Sequence, residues 1–451
     1  MRADLALLID VSVAKHDPTI GWEPGVVEYT YADRGREVRT TKAARATNFP
    51  PALRRYLYAA DDDGDIGFET RFRRTVFWEV GSTQLAELGA NFPGTRLTVT
   101  YVELLRSVSR LDASSSLGVM AVLAQVEAPD VATLTELVEW LSRVRGKDAP
   151  ASPRGANAHR LLRQIGILGG FAKTDGVPGL ASESTVYPVV LYRTDTSDGD
   201  LTDRDHELYA VAAAHRPDTM HSSPERVAEH SRSIERLSRT WSALVLRHGA
   251  AYQLHCPPET DFVPLATVYF RTLHVDALML ARLQGLLVRE LEQDLRDVAT
   301  ADGPRQGSMG EVLPGLETLD RELTLATVRY SMLGLISNSG KAVDLVRRFH
   351  EATGFEERRT ILAQNVETLV ALGQRDRART QSRAQHEQQL SQERLAEVVT
   401  VFGTVAIPVT VAIDLFSLLE TGPGAGMLLA LAVIAVLLGV ATWTLLRRFL
   451  H

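Results

Sequence analysis

Asp61-Asp62-Asp63-Gly64-Asp65 is the densest run of oxygen ligands in the sequence, and calcium would be its natural cation. The spacing argues otherwise. An EF-hand loop counted from Asp61 needs glycine at its sixth position and glutamate at its twelfth, where this chain has Ile66 and Phe72. The run reads as a solvated acidic loop. His215, His221 and His230 lie close in sequence without a repeating ligand spacing, and read as scattered surface histidines. His255 and Cys256 are neighbours, so a strand would turn their side chains to opposite faces, which argues against a dyad. Cys256 is the sole cysteine, excluding an intramolecular disulfide framework and any multi-cysteine metal site. It is either a small buried apolar side chain in a reducing compartment or a reactive thiol. No GxGxxG, P-loop, HExxH or GxSxG is present. The sequence therefore predicts no enzyme, no cofactor and no metal.

A further set with functional spacing lies near the end, in EVVTVFGTVAIPVTVAIDLFSLL (397–419). Val399, Gly403, Ile407, Thr410 and Asp414 recur at three- and four-residue steps, which puts them on one side of a helix. In a ring of chains, Val399 and Ile407 would form apolar constrictions. Thr410 and Asp414 would line a polar, cation-attracting outer half of the pore. The alternative is a plain packed hairpin, with Gly403 at a close helix contact and Asp414 reaching the interface.

The elements that would carry this stripe are two apolar runs. Val399 to Leu419 has Asp414 as its only ionisable group, and Met427 to Leu446 has none. Each matches the ~20 residues that cross a hydrocarbon core. The loop between them, ETGPGAG, has no Lys or Arg, whereas Arg379, Arg383 and Arg394 precede the first run and Arg447 and Arg448 follow the second. That asymmetry predicts a hairpin in the cell inner membrane with both termini cytoplasmic. Ahead of it, Phe355 to Val398 has no proline, and Leu362, Val366, Leu369 and Leu372 recur at helical spacing before a polar stretch from Gln374 to Arg394. One rod of ~65 residues and near 100 Å follows if the helix continues into the apolar run. Such a rod needs copies of itself or the rest of the chain to pack against; a partly frayed linker is the alternative.

These residues resemble the CorA-type divalent-cation channels. Glu397-Val398, Val401, Ala406, Pro408, Thr410 and Phe416 are similar to the EVxxV…A…PxT…Y run of the first CorA span, and Arg447-Arg448-Phe449-Leu450 resembles the family's basic-aromatic ending. The resemblance covers about the last 60 residues. It implies a homo-oligomer, a pentamer in the case of a CorA-like pore, controlled by a cytosolic domain. Where CorA-type channels have Gly-Met-Asn after the aromatic, this chain has Ser417-Leu418-Leu419. An apolar ring cannot replace the outer hydration waters of Mg²⁺, so a poorly selective pore is expected rather than a divalent-cation transporter. A membrane-anchored interaction or scaffold protein without transport is the other reading. By architecture and composition, not motif, the chain also resembles the CATRA (caspase and TPR repeat-associated) proteins of bacterial conflict systems. That likeness implies caspase-like or TPR partner proteins in antiphage defence.

The net charge of −7 offers no basic surface for nucleic acid. The N-terminal MRADLALLIDVSVA is no signal peptide, since Asp4 and Asp10 interrupt it, and it reads as a strand. Further strands are expected at 26–31, 71–80, 96–102, 118–126, 186–192, 208–213, 243–254 and 266–272. Helices are expected at 131–144, 276–298, 313–335 and 341–350. The fold class is thus an α+β cytosolic region followed by a long helical stalk and a C-terminal two-helix transmembrane hairpin. The expected domains are α+β subdomains at 1–147 and 157–300, a connector and stalk at 313–398, and transmembrane helices at 399–419 and 427–446.

Overall fold

The computed structural model describes residues 1–14, 22–33, 36–49, 54, 57–58, 70–80, 91–107, 115–142, 186–194, 201–215, 224–256, 262–301, 314–320, 340–418, 434, 439–440 and 443–444. The chain divides into two compact units, Met1–Gly303 with Gly315–Thr368, and Pro304–Pro314 with Leu369–His451.

The first unit is built on β1 (Arg2–Ala14), whose apolar run LALLIDV suits a strand covered on both faces. Alternation sends Leu5, Leu7, Ile9 and Val11 to one core and Ala6 and Leu8 to the other. β1 pairs antiparallel with β7 (Ser115–Glu127) on one side and with β8 (Tyr187–Arg193) on the other. Outward from β7 come β6 (Arg96–Arg106), β5 (Arg71–Val80) and the two-residue β2 (Glu23–Pro24). Outward from β8 come β11 (Ala250–Leu254), β10 (Trp241–Val245) and β9 (Glu235–Ser238). In this nine-stranded sheet β8 and β11 are the parallel pair. A separate ribbon joins β3 (Thr30–Asp33) and β4 (Arg36–Arg39), and a short α1 (Lys42–Ala46) follows it.

Helices close both faces, giving three layers. On the Leu5 side lie α2 (Val131–Ser142), which buries Leu134, Leu137, Val138 and Leu141, and α3 (Leu201–Ala213), which buries Leu208 and Val211. α4 (Pro224–Ser231) follows, its His230 stacked on Tyr209. On the Leu8 side, α5 (Phe262–Tyr269) passes through a π-helical turn (Phe270–His274) into α6 (Val275–Ala301). α6 presses Leu278, Met279 and Ala281 into the core, joined there by Leu345, Val346 and Phe349 of α7 (Gly340–Thr353). Gly354, at φ +67°, ends α7 in the left-handed conformation that glycine adopts without cost. α8 (Phe355–Leu418) then runs as one helix of 64 residues, with Pro408 inside it.

The strand expected at 26–31 holds only at Thr30 and Tyr31, the start of β3, and two further strand expectations are corrected. Residues 208–213 form the end of α3 and 266–272 cross from α5 into the π-helical turn. The 243–254 strand is two strands, β10 and β11, joined through Gly249. The membrane expectation is also corrected. A span requires about 20 consecutive apolar residues, and among the described residues no helix is long and apolar enough to cross a membrane. α8 is polar and exposed for most of its length before its apolar end. The first expected span, 399–419, is the tail of that helix. The second, 427–446, lies outside the described residues apart from Ile434, Gly439, Val440, Trp443 and Thr444. The transmembrane hairpin and the inner-membrane location are therefore withdrawn.

Candidate functional site

Charged side chains cluster where the π-helical turn hands over to α6. Thr41 caps α1, its Oγ1 accepting from the Ala44 N–H at 3.2 Å, and the helix so started carries Arg45 inward. Arg71 opens β5, Glu103 lies on β6, and Asp276 sits in the first turn of α6. All four are at most 1% exposed. Arg45 forks across both carboxylates: Nη1 and Nη2 donate to Glu103 at 2.8 and 3.0 Å, and Nε and Nη2 donate to Asp276 at 3.0 and 2.7 Å. Its Nη1 also donates to the Val27 carbonyl at 2.9 Å. Arg71 Nη2 donates to Glu103 at 2.6 Å and to Asp276, and Nη1 reaches the Met279 sulfur at 3.1 Å. The Val27 N–H and the Tyr58 hydroxyl complete the carboxylates, on Glu103 at 2.8 Å and on Asp276 at 2.6 Å.

Two positive and two negative groups balance here. Burial pushes the Asp276 carboxyl up, but Arg45 and Arg71 outweigh it and hold it below the usual carboxylate range. Burial likewise opposes the charge on Arg45, and Asp276 with Glu103 overcomes it and raises its pKa. Tyr58 is raised by burial and then by Asp276, so it stays a phenol that donates. Each carboxylate oxygen already accepts a hydrogen bond and the cluster is sealed from solvent, so no open position exists for a substrate, a water nucleophile or a metal. What the arrangement does is tie α1, β5, β6 and α6 together. Asp10 extends the theme, accepting from Arg282 Nε at 2.5 Å and from Arg289 at 3.2 Å, as does Asp4 with Arg271.

A second polar group lies on the α3 side. Ser242 Oγ and His255 Nε2 are 3.1 Å apart, and Arg236 donates to that hydroxyl at 2.7 Å while holding Asp205 at 2.7 Å. Burial, then Arg204 and Arg236, lower the His255 pKa to about 4, so its imidazole is neutral near pH 7. This resembles half of a nucleophile–base pair, yet Nδ1 has no hydrogen-bond partner to orient the ring and Ser242 is 1% exposed. Cys256, buried in the α6-side core, faces away from it. Neither cluster was legible beforehand, because their members come from separate elements with no shared spacing.

The residues singled out by spacing fall as follows. Val399, Gly403, Ile407, Thr410 and Asp414 all lie on α8. Val399 is 60% exposed, Thr410 is exposed, and a Cβ added at Gly403 would meet nothing within 4 Å. The side chains of Ile407 and Asp414 are outside the described residues, as are the acidic run 61–65 and His221. Among the described residues no group of three His, Cys, Asp or Glu could hold a metal ion. α8 itself presents a long open surface. Every residue from Arg377 to Thr400 is exposed, and Leu390, Leu395 and Val398 line a shallow groove there with Glu387, Ser391 and Arg394. No protein-family model matches the chain and no curated protein matches it, so its likeness to CorA-type channels rests on the quoted residues alone.

Proposed function

We infer that the chain is an interaction protein, a scaffold without catalytic activity, that assembles through α8. One observation carries this reading: 24 consecutive helical residues, Arg377 to Thr400, are all exposed. A helix that is polar all round needs ion pairs or partners to persist, since most helical stability in proteins comes from packing an apolar face. Leu390, Leu395 and Val398, 42%, 65% and 54% exposed, give such a partner an apolar hold. The sealed charge cluster supports the same reading, since it stiffens the sheet unit while offering no chemistry. The pore expected from the sequence is lined by a membrane-spanning helix, and among the described residues no helix is long and apolar enough to cross a membrane, so that reading is not carried forward. Light scattering on the full chain tests the proposal. The particle is expected to exceed the 49.6 kDa of one chain and to shrink toward it when Leu390, Leu395 and Val398 are all replaced by Asp. A strictly monomeric wild-type chain would sink it.

A further inference from the structure

Four charged residues on α8, Asp376 partly buried and the other three exposed, form a pattern that reverses sign about its own centre. Asp376, Arg383, Glu387 and Arg394 alternate in charge at steps of seven, four and seven. At 100° per residue they fall within roughly 40° of one another around the helix axis. Asp376 and Arg394 are each nine residues from Gln385 (385 − 376 and 394 − 385), and Arg383 and Glu387 are each two from it. Leu372 and Val398, 45% and 54% exposed, bracket the array at thirteen residues on either side. Among the described residues, none of the four charged side chains has an ion pair or hydrogen bond within the chain.

We propose that this face of α8 binds the same face of a second copy, antiparallel, about a two-fold axis at Gln385. The inference rests on assembly through α8 and adds partner, orientation and register. A two-fold axis brings residue i against residue j and j against i. Placed at Gln385, it sets Asp376 against the partner's Arg394, Arg383 against the partner's Glu387, and both again in mirror order. Leu372 then meets the partner's Val398 at each end. A parallel, in-register pair would instead set each charge against its own like. The four charges span about 27 Å of helix, longer than a Debye length at physiological salt, so the array is read as a pattern rather than as a net charge.

Sedimentation equilibrium of the full chain tests this. Wild type is expected to be dimeric, more weakly at high salt. Asp376→Arg alone, or Arg394→Asp alone, turns two attractions into two repulsions and should weaken the dimer about tenfold. The double variant Asp376→Arg/Arg394→Asp restores both pairs and should recover wild-type association to within about threefold. Because these side chains lie outside the two hydrophobic cores, near-ultraviolet circular dichroism should show the sheet unit packed as in wild type in every variant. A pair of spin labels at Ala384→Cys, on the flank of the paired face, should lie close, whereas labels at Ser391→Cys, on the same flank, should sit about 15 Å farther apart along the axis. The native Cys256 is buried. Single reversals that leave the dimer unchanged, a stoichiometry other than two, or close labels at both positions would each overturn the pairing. A monomeric wild type would overturn assembly itself.

Discussion

Removing one charge from a sealed cluster costs more than its contacts suggest, because the partner stays buried and uncompensated. Asp276→Asn leaves Arg45 and Arg71 sharing only Glu103, at sites no more than 1% exposed. The expected loss is about 3–5 kcal/mol, read as a shift in the urea midpoint. A loss below ~1 kcal/mol would mean that water enters the cluster, contrary to its burial. Protons probe the fold at two other residues. His255 and His350 are both lowered to about 4, chiefly by burial and then by nearby arginines. The unfolded chain takes up these protons below about pH 6.5 while the folded one refuses them, so stability falls as pH drops from about 6.5 toward 4. His350 stacks on Phe355 with ring centroids 4.0 Å apart, so His350→Leu keeps an apolar contact and removes one titration. Its thermal midpoint should fall less steeply over that pH window; an unchanged slope would show that His350 does not contribute. None of this was visible beforehand. Arg45 and Asp276 stand 231 positions apart, and no spacing rule joins residues that meet only when a sheet and a helix close over them.

Elements were easier to read than sites, and the misses share one cause. Arg71–Val80 was anticipated as a strand, and β7 and α2 followed from a β-rich run, a Pro-Asp break and an apolar face at helical spacing. β1 betrayed itself by a continuous apolar run. Leu208–Ala213 and Ala266–Thr272 are short and mostly apolar, and periodicity alone cannot separate a buried strand from a buried helix turn. Packing on the sheet decided both. Gly249 shows how tightly: a Cβ there would lie 2.6 Å from the Ala212 carbonyl oxygen and 3.1 Å from Pro188. Backbone on the α3 side cannot yield as a flexible side chain would. Gly249→Ala should therefore cost about 1–3 kcal/mol, measured by denaturant unfolding. Gly285→Ala, with nothing within 4 Å of the added carbon and a helical setting, should instead be neutral or mildly stabilising.

At the scale of the whole molecule, the chain couples a sheet unit held by its own core to a helix that cannot hold itself. The apolar end of α8 suggested a membrane span from composition alone. That inference fails here because a helical span needs about 20 consecutive apolar residues, and among the described residues no helix is long and apolar enough to cross a membrane. If α8 is instead held by a second copy, its order must depend on protein concentration while that of the sheet does not. Hydrogen exchange separates the two. Amides of β1 and β7, paired over their full length, should exchange at the same slow rate at every concentration, since their opening follows the stability of the sheet unit. Amides from Arg377 to Thr400 should exchange fast when the chain is dilute and slow as it associates, because each is exposed unless a partner covers it. Asp376→Arg should restore fast exchange there and leave β1 untouched. Protection of Arg377 to Thr400 that is independent of concentration would mean that the helix is stabilised within one chain, and assembly through α8 would then have no physical driving need.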